Sequence, residues 1–214
     1  GKPVIVVEGY LDVMSCFSAG YRGAVAPLGT ALTEEQIAIL WKMIPAQEKV
    51  PVLCFDGDNA GRRAASRACE RLLPLLGPDQ SARFAFLPEG QDPDSLIRAQ
   101  GGNAFAAVIE SAMPLADFLW AHHTGGRRFD TPEARAGLEK ALEDDVLRIA
   151  DRSVQQYYRR SFRDRLYKTF ASPGFSRGGT AARSARYGKD RGRGEAPPVP
   201  VAPRRPAFAG EALP

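Results

Sequence analysis

"VLCFDGDNAGRRAA", residues 52–65, joins a short apolar run to a helix-like run through two carboxylates, Asp56 and Asp58. The apolar run is continuous rather than alternating, as in a strand covered on both faces. Beyond Asn59 the apolar positions Ala65, Ala68, Cys69, Leu72 and Leu76 recur at helical spacing, while Arg62, Arg63, Ser66, Arg67 and Glu70 take other faces. A buried strand that ends in two acids and turns at once into a helix is the unit from which the rest of the fold is read.

The flanking sequence repeats that unit. "VIVVEG" (4–9) is a β-branched run that predicts a first strand, and "LDVMSCFSAG" predicts a short helix closed by Gly20. "AVAPLGT" predicts a second short strand and a turn at Gly29. Thr33 and Gln36 stand at capping-box spacing before a helix with Ile37, Leu40, Trp41 and Ile44 on one face, and Pro45 ends it. "RFAFL" (83–87) predicts a fourth strand running into the acidic turn "PEGQDPDSL". Alternating strands and helices argue for an α/β fold with a mainly parallel sheet flanked by helices. In such sheets chemistry gathers beyond the carboxyl ends of the strands.

From Asn103 the pattern is helical only. "AFAAVIESA" and "LADFLWAHH" precede a Gly-Gly-Arg-Arg break, and Thr131-Pro132-Glu133 opens a long helix. A further helix carries Val154, Tyr158, Phe162 and Leu166 at steps of four. After Pro173 the chain is Gly, Ala, Arg, Ser and Pro with almost no large apolar residue, the composition of a disordered linker. The expected organisation is an α/β domain over residues 1–100, a small all-helical subdomain over 101–172 and a disordered basic tail over 173–214.

Composition narrows the function classes. The 214 residues are 44% hydrophobic, enough for a sizeable core, with no apolar run long enough to span a bilayer and no secretory signal pattern. Cys16, Cys54 and Cys69 form no zinc spacing and sit among apolar neighbours, as reduced core thiols of a cytoplasmic protein do. The net charge of +4 resides in the tail, where eight basic residues face three acidic ones; the remainder is close to neutral. Overall basicity is therefore no argument for nucleic acid. The start at Gly1, without methionine and directly before a strand, is read as a cut end of a longer protein.

In a parallel sheet, three acidic groups fall at strand ends: Glu8 after the first, Asp56 and Asp58 after the third, Asp92 and Asp94 after the fourth. Asp12 lies about one helical turn beyond Glu8. Carboxylates gathered this way repel one another unless protonated or compensated by a cation. Hard divalent cations take oxygen ligands, and Mg²⁺ is commonly shared between carboxylates and substrate phosphates. Gly9 and Gly57 would allow tight turns that bring these side chains together. The pattern suits two-metal phosphoryl chemistry. An Asp-x-Asp in a turn also serves as a cap, and on residue types alone both readings stand.

The phrases "VEGYLDV", "PLGTALT", "CFDGDNAGRRAA" and "FLPEGQDPDSL" resemble, in order, the Toprim motifs of bacterial DnaG-type replicative primases. The likeness continues through "SAMPLADFL" and "TPEARAGLEKAL…YYRRSFRDRL", covering about residues 3 to 170. It implies a Toprim fold in which Glu8, Asp56 and Asp58 are catalytic and, with Asp92, bind two or more Mg²⁺ or Mn²⁺ ions, supported by Asp12 and Asp94. It further implies synthesis of RNA primers from ribonucleoside triphosphates on a single-stranded DNA template, in a bacterial cytoplasm and near the nucleoid. A full primase of this kind carries an N-terminal zinc-binding domain, a basic subdomain and a C-terminal domain that binds the replicative helicase. All three are expected to lie outside this chain, which alone would bind metal but prime weakly. The alternative is another Toprim enzyme, such as an OLD-type metal-dependent nuclease. A phosphatase or receiver domain lacks support, because "DGDNAG" has no Lys or Thr after the acceptor.

Secondary candidates are weaker. Arg62 and Arg63 open a helix where phosphate or template contact is plausible, and Gly29-Thr30 suits a backbone approach to nucleotide. Tyr157, Tyr158 and arginines 159, 160, 163 and 165 mix aromatics with positive charge, which suits either nucleic acid or a solvated helix face. His122 and His123 have no partner at metal spacing.

Overall fold

A computed structural model describes residues 3–27, 31–45 and 47–170. Gly29, Thr30 and the basic segment from Pro173 lie outside the described residues. Four strands, β1 (Ile5–Val6), β2 (Ala24–Val25), β3 (Val52–Gly57) and β4 (Arg83–Glu89), pair in parallel, and β5 (Met113–Pro114) runs antiparallel to β4. The sheet order is β2-β1-β3-β4-β5. The strand predicted over 4–9 contracts to two residues. β5, inside the stretch expected to be purely helical, was hidden because two residues carry no periodicity.

Helices cover both faces, as the unbroken apolar strands require. Along β3, Val52 and Cys54 join one buried cluster while Leu53 and Phe55 join the other; β4 divides Ala85 and Leu87 from Phe84 in the same way. This is the period-two alternation of a pleated strand. On the first face lie α1 (Tyr10–Ser18), α4 (Pro93–Gln100) and α5 (Gly102–Glu110), which seal Cys16, Leu96 and Phe105 against the sheet. On the second lie α2 (Glu34–Met43), α3 (Asn59–Leu72), α6 (Leu115–Thr124), α7 (Pro132–Leu147) and α8 (Arg152–Phe170). Phe118 of α6 stacks on Phe84 of β4 with ring centroids 4.2 Å apart, so the later helices share one core with the sheet.

The capping signals hold. Thr33 Oγ1 accepts from Gln36 N at 3.3 Å and Gln36 Oε1 from Thr33 N at 2.9 Å, while Thr131 caps α7 with Pro132 in its first turn. Cys16, Cys54 and Cys69 are buried and unpaired, and burial pushes the thiols of Cys16 and Cys69 up to about 12. No helix among the described residues is long and apolar enough to cross a membrane.

Because β2 lies on one side of β1 and β3 on the other, the chain reverses direction across the sheet between β1 and β3. The crevice beyond the carboxyl ends of these two strands is the topological switch point, where doubly wound sheets place ligands.

Candidate active site

Glu8 follows β1, Asp56 lies in the last turn of β3, and Asp58 follows it, so all three stand at the switch point. Local backbone packing brings them there. A Cβ on Gly57 would come within 1.8 Å of the Pro88 carbonyl oxygen, and one on Gly61 within 2.3 Å of that of Asp56. Both glycines are needed for close approach rather than for a turn: neither has a positive φ. At Gly57 the β3–β4 register shifts, and Gly57 N donates to Gln91 O at 3.1 Å, drawing the acidic turn after β4 toward β3.

The carboxylates are not equivalent. Asp58 caps α3, its Oδ1 accepting from Gly61 N at 2.7 Å. Asp92 caps α4 in the same way, accepting from Ser95 N at 2.7 Å. Asp12 accepts from Gly9 N at 3.0 Å and is buried. Asp94 has both oxygens engaged, by Ser15 Oγ at 2.6 Å and Arg98 Nη2 at 2.7 Å, tying α4 to α1. Capping and acid clustering thus coexist. Capping engages Oδ1 of Asp58 and Oδ1 of Asp92.

Asp56 differs from the rest: its Oδ1 is buried and has no hydrogen-bond partner among the described residues. Burial first, then repulsion from Glu8, Asp12, Asp92 and Asp58, pushes its carboxyl up to about 7. Glu8 is raised by burial and by Asp58 and Asp12. Asp12 is raised by burial and by Asp92 and Asp94, against the pull of the Gly9 N–H. Asp92 goes the other way, lowered by its bonds to Ser95. Among the described residues, no three of these side chains are drawn together as a closed ion cage. The donor set still fits a hard cation. It offers only oxygens, in mutual repulsion, with one buried and unsatisfied.

A cavity of about 300 Å³ adjoins the cluster, and both Glu8 and Arg67 line it. Arg67 partly offsets the rise at Glu8 and forms no hydrogen bond or ion pair among the described residues. Sequence spacing had singled out Arg62 and Arg63; both are exposed, and neither lines this cavity. The signal for Arg67 was available, since it lies one turn beyond Arg63 on the face that carries Ala64 and Ala68. His123 does have an acidic partner, Asp145 at 2.6 Å, which packing supplies across 22 residues.

Residues 2–81 match the family model of the Toprim domain, and residues 116–166 match that of the DnaB-helicase binding domain of primase. The DNA primase of Rickettsia felis is 36% identical over 168 residues, and that of Pseudomonas aeruginosa 50% identical over 118. This chain belongs to the DnaG-type primases. Among solved structures, a DNA primase domain from Pseudomonas aeruginosa matches with a TM-score of 0.69 at 40% identity, covering 80% of this chain and 51% of that one. The DnaG primase catalytic domain bound to single-stranded DNA matches with a TM-score of 0.67 at 36% identity, covering 77% and 52%. The Rickettsia alignment covers 78% of this chain but only 28% of that primase, and the Pseudomonas alignment 55% and 17%. Toprim primases are in general metal-dependent. The helicase-binding match adds to one expectation: a segment of that type falls on α6–α8 within the chain, where the helicase contact was expected outside it.

Proposed function

We propose that this chain forms the acidic centre of a DNA primase, an RNA-polymerase-type nucleotidyl transferase. On this reading it works on single-stranded DNA and ribonucleoside triphosphates and cooperates with a replicative helicase. The observation that carries the reading is the buried Asp56 Oδ1, without a partner among the described residues and within the electrostatic reach of four other carboxylates at the switch point.

Glu8, Asp56 and Asp58 would hold Mg²⁺ or Mn²⁺, with Asp92 contributing and two or more ions shared with substrate phosphates. Bound there, the ions supply activation of a 3′-hydroxyl and neutralisation of charge on the departing pyrophosphate. The chain's own residues set the geometry. The α3 cap fixes the Asp58 carboxylate, and the Gly57 and Gly61 contacts fix the turn between Asp56 and Asp58. Asp94, held by Ser15 and Arg98, anchors the α4 end of the acidic turn. Burial, then crowding by like charge, raises the Asp56 carboxyl to about 7 in the metal-free chain, so an ion held there would compete with a proton.

Calorimetric titration of Mn²⁺ into the wild-type chain and into Asp58→Asn tests the assignment. Asn retains the cap oxygen but removes the charge, so the fold persists while affinity falls at least about tenfold, the weight of ~1.4 kcal/mol. Equal affinities would remove Asp58 from the site. A nuclease reading has less support, since the named relatives are primases; metal-dependent cleavage of a labelled single strand without primer synthesis would favour it.

A further inference from the structure

The cations of α8 divide into two sets. Arg159 and Arg165 are half-buried and engaged, Arg159 by Glu143 at 2.7 Å and Arg165 by Asp117 at 2.5 Å, with Arg165 also 4.6 Å from the centroid of the Trp120 ring. Val154, Tyr158, Phe162 and Leu166 lie beside them against the core. On the opposite face Arg160 and Arg163 are exposed, with Arg152 on one flank and Lys168 on the other; all four have no hydrogen bond or ion pair among the described residues, and Asp164 is the one carboxylate beside them. Between them stand Tyr157 and Tyr167, 72% and 73% exposed.

We infer that this outer stripe of α8 is a second binding track for single-stranded nucleic acid, separate from the acidic centre. Tyr157 and Tyr167 stack bases, and the four cations neutralise the backbone. The chemistry selects this partner. Tyrosine and arginine serve protein interfaces too, mostly around an apolar centre, and although residues 116–166 match the helicase-binding family model, no aliphatic side chain lies on this face of α8. A polyanion with exposed π-faces uses both groups present, flat aromatics and free guanidinium or ammonium charge. Ten residues of helix separate the tyrosines by about 15 Å, the rise of four or five stacked nucleotides at ~3.4 Å each. The track is therefore short and tolerant of sequence. It requires no ion and does not depend on the primase reading of the carboxylates.

The test is fluorescence anisotropy of a labelled twelve-nucleotide oligothymidylate with the full chain in EDTA, across a salt series. Circular dichroism checks that the variants fold, which these exposed positions permit. Stacking at two tyrosines predicts that Tyr157→Ala/Tyr167→Ala weakens binding about 30-fold without changing the salt slope. Arg160→Gln/Arg163→Gln should weaken binding and reduce the log–log salt slope by about 1.4, two phosphate contacts at ~0.7 each. An affinity unchanged by both pairs, as binding through the basic segment after Pro173 would give, overturns the proposal. So does a result in which both pairs spare DNA binding but weaken association with a DnaB-type helicase, which would make the stripe a protein interface.

Discussion

The acidic centre and the α6–α8 helices treat charge in opposite ways. In the helices, ionic groups meet opposite partners: Arg159 with Glu143, Arg165 with Asp117, and His123 with Asp145. At the carboxyl ends of β1 and β3, Glu8, Asp12, Asp56 and Asp58 face one another, and none of them forms a salt bridge among the described residues. The first arrangement stabilises the fold modestly; the second works against it unless something cationic arrives. Repulsion held in place by rigid strands and tight glycine contacts marks a site built for binding rather than for stability.

The largest expected effect breaks the scaffold of the acidic region. Gly57→Ala drives a Cβ into the Pro88 and Leu87 carbonyls, which are backbone and cannot swing aside. The expected loss is about 3 kcal/mol or more, measured by urea denaturation, and Gly61→Ala should behave similarly. Full stability in Gly57→Ala would mean that β3 and β4 are not in this register.

Next comes pH. A carboxyl raised from its ordinary value to about 7 in the folded chain binds more protons there than when unfolded. Its contribution to stability is greatest below about pH 4 and is lost as pH rises toward 7. Glu8 and Asp12, also raised, act in the same direction, and Asp92, lowered, opposes them. Metal-free wild type should therefore lose melting temperature across this window, and Asp56→Asn should flatten the decline. Identical pH profiles for the two proteins would deny the crowding at Asp56.

The smallest effect lies on the other side of the comparison. Glu143→Gln removes a partly exposed ion pair with Arg159 and should cost no more than about 1 kcal/mol. It should leave Mn²⁺ affinity unchanged; a larger change in metal binding than in stability would couple the helices to the acidic centre.

Much of this contrast is written in local pattern. Apolar runs, helical periodicity and the Thr33 and Thr131 caps placed the strands and helices, and acids at three strand ends marked the candidate site. What stayed hidden depends on contacts between distant segments. Gly57 reads as a turn glycine until β4 is laid against it. Arg67 reads as one more exposed arginine until β1 brings Glu8 to the same cavity. Asp145 sits too far along the chain from His123 for spacing to join them. The difference between Asp94, with both oxygens engaged, and Asp56, with one oxygen unsatisfied, is likewise invisible in "DPD" and "DGD".

The most direct test of the central claim is the melting temperature of wild type and Asp56→Asn at pH 8, each with EDTA and with millimolar Mn²⁺. The account predicts a reversal. Without ion, Asp56→Asn is the more stable because repulsion is relieved. With Mn²⁺, wild type rises as RT ln(1 + [L]/Kd) requires, and the variant does not. An equal rise in both proteins, or none in either, would contradict a metal site at Asp56.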